Sequence, residues 1–150
     1  MIFVECKPDK VLVRILGIPT HEIIHARNKS GVCKKLERSN GSKGLIDEDP
    51  DSVQPTYIRR LEIIDMRSDF KILYDLGRDN YLIILCPRLE EWILKAAREA
   101  KVEVKKYNLP NNGDHLHRII NLKIDKFERL VLDLRSKSRM LKDLESILKQ

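Results

Sequence analysis

Ile2-Phe3-Val4-Glu5-Cys6-Lys7-Pro8-Asp9 decides how the chain is read, and Gly44-Leu45-Ile46-Asp47-Glu48-Asp49 repeats its logic further on. In both, a short apolar run stops on carboxylates. Apolar residues along a whole strand mark burial on both faces, as in a parallel sheet. The C-terminal ends of such strands open into the crevice where α/β folds bind ligands. Carboxylates gathered there repel one another unless a hard cation neutralises them. Oxygen ligands suit Mg²⁺, which keeps several waters and takes one or two protein carboxylates plus substrate phosphates. The pattern points to phosphate chemistry.

Outward from these runs, Pro8-Asp9-Lys10 starts a helix, since proline is tolerated in a first turn and an acid suits the helix dipole. Val11, Leu12, Ile15 and Leu16 follow helical spacing until Gly17. A second strand is expected around Glu22 to Ala26. Asn28 or Ser30 caps a short helix that turns Val32, Cys33 and Leu36 inward. The turn Ser39-Asn40-Gly41-Ser42 then delivers the strand that ends at Asp47. Strand, helix, strand, helix, strand implies parallel pairing with crossover helices.

Beyond Pro50 the chain is polar and loop-like to Pro55, and Thr56 to Met66 fits helix or strand. Phe70 to Tyr74 and Tyr81 to Cys86 read as strands around the hairpin turn Gly77-Arg78-Asp79-Asn80. Leu89, Trp92, Ile93, Ala96, Ala97 and Ala100 form the apolar stripe of a helix over 88–100. Tyr107 to Asp114 reads as a loop. Residues 125–150 are helical in pattern, with a break at Ser136-Lys137-Ser138. The expected organisation is an α/β unit over 1–106 and a helical C-terminal extension over 107–150, packed on the same domain. Those last helices also offer a surface for a homodimer or a partner protein.

Composition narrows the class. The 150 residues suit one domain, with 42% hydrophobic and 35% charged residues. The longest apolar run, Tyr81 to Cys86, is far too short to span a bilayer. No basic and apolar leader precedes the first strand, so neither secretion nor a membrane is expected. Cys6, Cys33 and Cys86 are few and widely spaced, which fits reduced thiols in a cytoplasmic protein. A net charge of +6, from 29 Lys and Arg against 23 Asp and Glu, favours polyanionic partners.

Val4-Glu5-Cys6-Lys7-Pro8-Asp9 resembles the first motif of Toprim domains, in which a strand ends in Glu-Gly-x-x-Asp. Leu45-Ile46-Asp47-Glu48-Asp49 resembles the second, an Asp-x-Asp pair on a later strand. Asn28-Lys29-Ser30-Gly31-Val32 is similar to the turn opening the next helix. Pro87-Arg88-Leu89-Glu90-Glu91-Trp92 is similar to an element of small stand-alone Toprim-like proteins related to overcoming-lysogenization-defect nucleases. The resemblance covers roughly residues 1–100. It implies a Toprim-like, Rossmann-type, mostly parallel sheet flanked by helices, and Mg²⁺-dependent phosphoryl transfer on DNA or RNA, with Mn²⁺ as a substitute. Glu5 would be the general acid or base, Asp47 and Asp49 the metal ligands, and Glu90 a further metal ligand. Lys7 and Lys29, beside these motifs, are the candidates for phosphate or nucleic-acid contact.

The chain departs from the pattern at Cys6, where the family has glycine, and Asp51 stands at the spacing of a third acid. A non-catalytic nucleic-acid- or protein-binding subunit is therefore a second expectation. A restriction-endonuclease-like reading of Glu5-Cys6-Lys7 lacks the upstream acid it needs. Absence of a separate DNA-handling domain argues against a complete topoisomerase or primase. Other features have plain explanations. Acids at 90 and 91 suit a helix dipole, and His21 and His25 lack partners at metal-ligand spacing. His115 and His117, two apart beside Asp114, fit a fragment of a proton-transfer site or the first turns of a helix. Lys101, Lys105, Lys106 and Arg118 are candidates for a nucleic-acid approach.

Overall fold

The computed structural model describes residues 1–150. Six strands form one sheet: β1 (Ile2–Val4), β2 (Ile23–His25), β3 (Lys43–Asp47), β4 (Glu62–Arg67), β5 (Phe70–Asp75) and β6 (Asn80–Leu85). Their order is β2-β1-β3-β6-β5-β4. The first four in that order run parallel. The hairpin turn makes β5 antiparallel to β6, and β4 is antiparallel to β5. The architecture is α/β and Rossmann-like, a mostly parallel sheet with an antiparallel edge.

Register explains the apolar runs. Val4, Leu45 and Ile83 align across β1, β3 and β6, as do Phe3, Gly44 and Leu82 in the row before. Successive side chains point to opposite faces, so Val4, Leu45 and Ile83 enter one apolar cluster and Phe3 and Leu82 the other. Burying each such side chain contributes about 1.5–3 kcal/mol. Gly44 is glycine because α2 (Lys29–Glu37) packs tightly there; a Cβ would stand 2.8 Å from Val32 and 2.9 Å from Leu36.

Helices α1 (Lys7–Ile15), α4 (Leu89–Glu99), α5 (Gly113–Ile119), α6 (Ile124–Lys137) and α7 (Arg139–Lys149) share the larger cluster. Phe127, Leu130, Val131, Leu134, Leu141 and Leu144 join it from residues beyond 106. Residues 107–150 thus bury their apolar stripes against α1 and α4. The expected break is real: Ser138 ends α6 and caps α7, its side chain accepting from the Leu141 N–H. The ambiguous stretch resolves into a short helix α3 (Thr56–Arg59) and the edge strand β4. Trp92 lies in the core, its indole N–H donating to the Ser68 carbonyl at 2.7 Å. No helix is long and apolar enough to cross a membrane.

Candidate active site

Glu5 and Asp47 stand at the C-terminal ends of adjacent parallel strands, β1 and β3. The Asp47 N–H donates to Glu5 Oε2 at 2.7 Å. Asp47 Oδ1 in turn accepts from the Leu89 N–H at 2.9 Å, at the start of α4. Two carboxylates are thereby tied to three elements through backbone donors, which hold them in place without neutralising them.

Two further acids close on this pair. Asp9, on the first turn of α1, is only 1% exposed, and Glu90, on the first turn of α4, only 4%. Asp9 Oδ2 accepts from the Cys6 thiol at 3.1 Å. Glu90 Oε2 lies 3.4 Å from His117 Nδ1. Asp9 Oδ1 and Glu90 Oε1 are buried and have no hydrogen-bond partner. A buried polar atom without a partner costs about 1–3 kcal/mol, more when charged.

The electrostatic consequence is a raised proton affinity at three of these acids. Burial, then repulsion from Asp9, Glu5, Glu90 and Asp49, pushes the Asp47 carboxyl far above the usual carboxylate range. Asp9 is raised first by burial, and Glu5 and Glu90 add to it. Glu5 is raised by burial as well, although the Asp47 N–H and nearby Lys29 pull it back. Burial disfavours the charged form and like charges reinforce it.

Lys29 takes a different place from the one its residue type suggests. It is 8% exposed, and its Nζ donates to the Glu48 carbonyl at 2.8 Å and to Ser52 Oγ and Gln54 Oε1 at 3.3 Å. Gln54 reaches the carbonyls of Glu48, Asp49 and Ser52. Together they cross-link the loop that carries Asp49. The loop turns sharply, with Asp49 at φ 41°. Lys29 is itself aimed by the start of α2. Asn28 caps that helix by accepting from the Gly31 N–H at 2.7 Å, and at Gly31 a Cβ would meet the Ala26 carbonyl oxygen at 2.0 Å.

Around the acids, the cations that touch them or their loop are spent. Lys71 pairs with Glu48 at 2.6 Å. Arg88 bonds Glu91 and, at 2.7 Å, Asp114. Asp49, Asp51, Arg88 and Asp114 line an open cleft of about 520 Å³ beside the centre. Lys7 is exposed at the mouth, two residues from Glu5.

The fold therefore brings Glu5, Asp47, Asp49 and Glu90 to one place and leaves Asp51 exposed on the rim. Asp9 belongs with them, although its position in a first helical turn explains it equally well in sequence. The available signal was its phase, in line with Leu12, Val13 and Leu16 on the buried face. His117 and Asp114 also reach the site, from a segment the motifs do not cover.

No three histidine, cysteine or carboxylate side chains form a ready-made metal cage. A Mg²⁺ that keeps its waters and takes one or two protein carboxylates does not need one. Two unpartnered buried oxygens among mutually repelling acids fit such a hydrated cation. Compared with protein-family models, characterised proteins and solved structures, the chain matches none.

Proposed function

We propose that the chain is a small Toprim-type nuclease, a cytoplasmic enzyme that hydrolyses phosphodiester bonds in nucleic acid with Mg²⁺. One observation carries this reading: five acids converge where the C-terminal ends of parallel strands meet the first turns of α1 and α4, and two of their buried oxygens have no hydrogen-bond partner. Such a centre is unfavourable alone and becomes favourable around a divalent ion and a phosphate. Asp47 and Asp49 would hold Mg²⁺, with Glu90 and Asp9 supporting it from behind. When bound, the ion would supply charge neutralisation at the phosphoryl oxygens and a lowered pKa for the attacking water.

The chain's own residues supply the rest. Glu5 is held by the Asp47 N–H, and burial raises its pKa above the usual carboxylate value, the direction that suits a group that both takes and returns a proton. Lys29 and Gln54 fix the Asp49 loop, so that carboxylate need not be ordered when substrate binds.

Glu5→Gln keeps the shape and can still accept from the Asp47 N–H. Mn²⁺-dependent cleavage of a labelled oligonucleotide should fall about 10²–10⁴-fold, with an unchanged circular dichroism spectrum. Full activity in that variant would overturn the assignment. Wild-type protein that binds Mn²⁺ and oligonucleotide yet cleaves nothing would assign a binding subunit instead.

A further inference from the structure

The cations at the mouth are distributed unevenly. On the β3 side, Lys29, Lys71 and Arg88 are each committed to internal acceptors or carboxylates. On the β1 side two of them are free. The side chains of Lys7 and Lys10 make neither a hydrogen bond nor an ion pair in a chain with 23 acids. With Arg14 they occupy positions i, i+3 and i+7 of α1, one face of a helix. They line an open groove of about 450 Å³ with Val11, His25, Ile124 and Glu128. Glu128, its only acid, pairs with Arg14. The groove adjoins the end of β1 that carries Glu5, since the His25 ring in its lining donates to the Glu5 backbone carbonyl at 2.9 Å.

We infer that this groove is the track for the phosphodiester backbone of a polynucleotide, which enters along α1 and delivers its scissile phosphate to Glu5. The inference rests on the nuclease reading and adds where the substrate lies. An acidic centre repels a polyanion, so the strand must be held by cations that are free, close and to one side. Lys7 and Lys10 meet all three conditions, and Arg14, paired with Glu128, continues their line. At about 1.5 Å of rise per residue they extend roughly 10 Å along the helix axis, enough for more than one phosphate. Contact is with the backbone, so binding should be indifferent to base sequence. The C-terminal cations Lys105 and Lys106, on the short turn Val104–Tyr107, lie outside this groove.

The test uses the full chain, a fluorescein-labelled oligothymidylate and a duplex of equal length, followed by anisotropy with Ca²⁺ in place of Mg²⁺. A double variant K7A/K10A should bind at least about tenfold more weakly at low salt, with the slope of log affinity on log salt reduced by about 1.4 for the single strand or about 1.8 for the duplex. K105A/K106A should bind like wild type. Equal losses in the two double variants, or none in K7A/K10A, would overturn the track. Mn²⁺ calorimetry on K7A/K10A should give the wild-type isotherm, which separates a lost track from a lost centre. Groove-dependent binding without any Mn²⁺-dependent cleavage would leave the track standing and sink the nuclease. Mn²⁺-dependent hydrolysis of bis(p-nitrophenyl) phosphate by a protein that binds neither oligonucleotide would do the reverse.

Discussion

One sheet carries a buried polar cluster at each end, and the two are built on opposite plans. At the N-terminal end of β6, Asn80 accepts from the Ser42 N–H and donates to the carbonyls of Leu36 and Ser39. Asp75 beside it accepts from the Tyr57 hydroxyl at 2.8 Å and from Arg78 at 3.2 Å. Burial pushes the Asp75 carboxyl up, but those two donors outweigh it and hold the pKa below the usual value. At the other end Asp47 has one backbone donor and four acidic neighbours, and its pKa moves the opposite way. A satisfied network fastens the turns around β3 and β6. The unsatisfied one leaves interaction capacity for something from outside the chain, and that difference separates a structural cluster from a candidate site.

The largest break in the comparison should come from Asp47→Asn. The amide keeps an acceptor for the Leu89 N–H and removes the charge. Mn²⁺-dependent cleavage should drop on the order of 10²-fold or more, since losing a ligand exceeds the 10–100-fold typical of residues that only orient one. In EDTA the same variant should be more stable than wild type, by about 1 kcal/mol or more for each pKa unit relieved. That corresponds to about 2–4 °C in Tm per kcal/mol at this size. Asp75→Asn should do the reverse, lowering Tm through charge-assisted bonds worth about 1.5–3 kcal/mol and leaving metal binding alone. Thermal melts with calorimetry on the two variants measure both. A less stable D47N or a more stable D75N would erase the distinction.

Acidity should distinguish the ends in the wild-type protein too. Asp47, Asp9 and Glu5 have folded pKa values above their unfolded ones. In that window the folded state binds more protons, so stability falls as pH rises from about 4 through neutral. Asp75 runs the other way; its contribution is present above its unfolded value and is lost only as pH falls through the lowered one. Melts in EDTA should therefore show Tm declining from pH 5 to pH 8, and millimolar Mg²⁺ should flatten the decline. A Tm that rises over this range in EDTA would contradict the buried acidic centre.

Much of this was legible because strands and their ends are local. The runs Ile2–Val4 and Gly44–Ile46 lie in the parallel strands β1 and β3, and Glu5 and Asp47 fall at their ends. The hairpin turn at 77–80 accounts for the antiparallel edge. The rest was hidden because burial is decided by distant packing. Asp9 and Glu90 look like ordinary first-turn acids until α1 and α4 meet over the sheet. Lys29 looks like a phosphate ligand until the loop 48–54 closes on it. Helix α5 brings His117 to Glu90 across residues with no shared motif. At the edge strand β4, Ile63, Ile64 and Met66 are all at least half exposed, so no inward and outward alternation exists there to be read.

The finest test concerns which acid accompanies Asp47 and Asp49. Spacing favours Asp51, and position favours Glu90. Asp51 is exposed on the rim of the open cleft, whereas Glu90 is 4% exposed, repels Asp47 and has an Oε1 with no hydrogen bond, 3.9 Å from Arg88 Nε. Substitutions of exposed residues away from special features change stability by less than about 0.5 kcal/mol. Asp51→Asn should accordingly leave Tm, the Mn²⁺ isotherm and cleavage within about twofold of wild type. Glu90→Gln should weaken Mn²⁺ binding about 10–100-fold, as loss of a supporting group at a metal does, and raise Tm in EDTA. An Asp51 variant that loses the metal while Glu90→Gln keeps it would move the third acid to the loop. Glu90 would then join Asp75 among buried carboxylates that serve the fold alone.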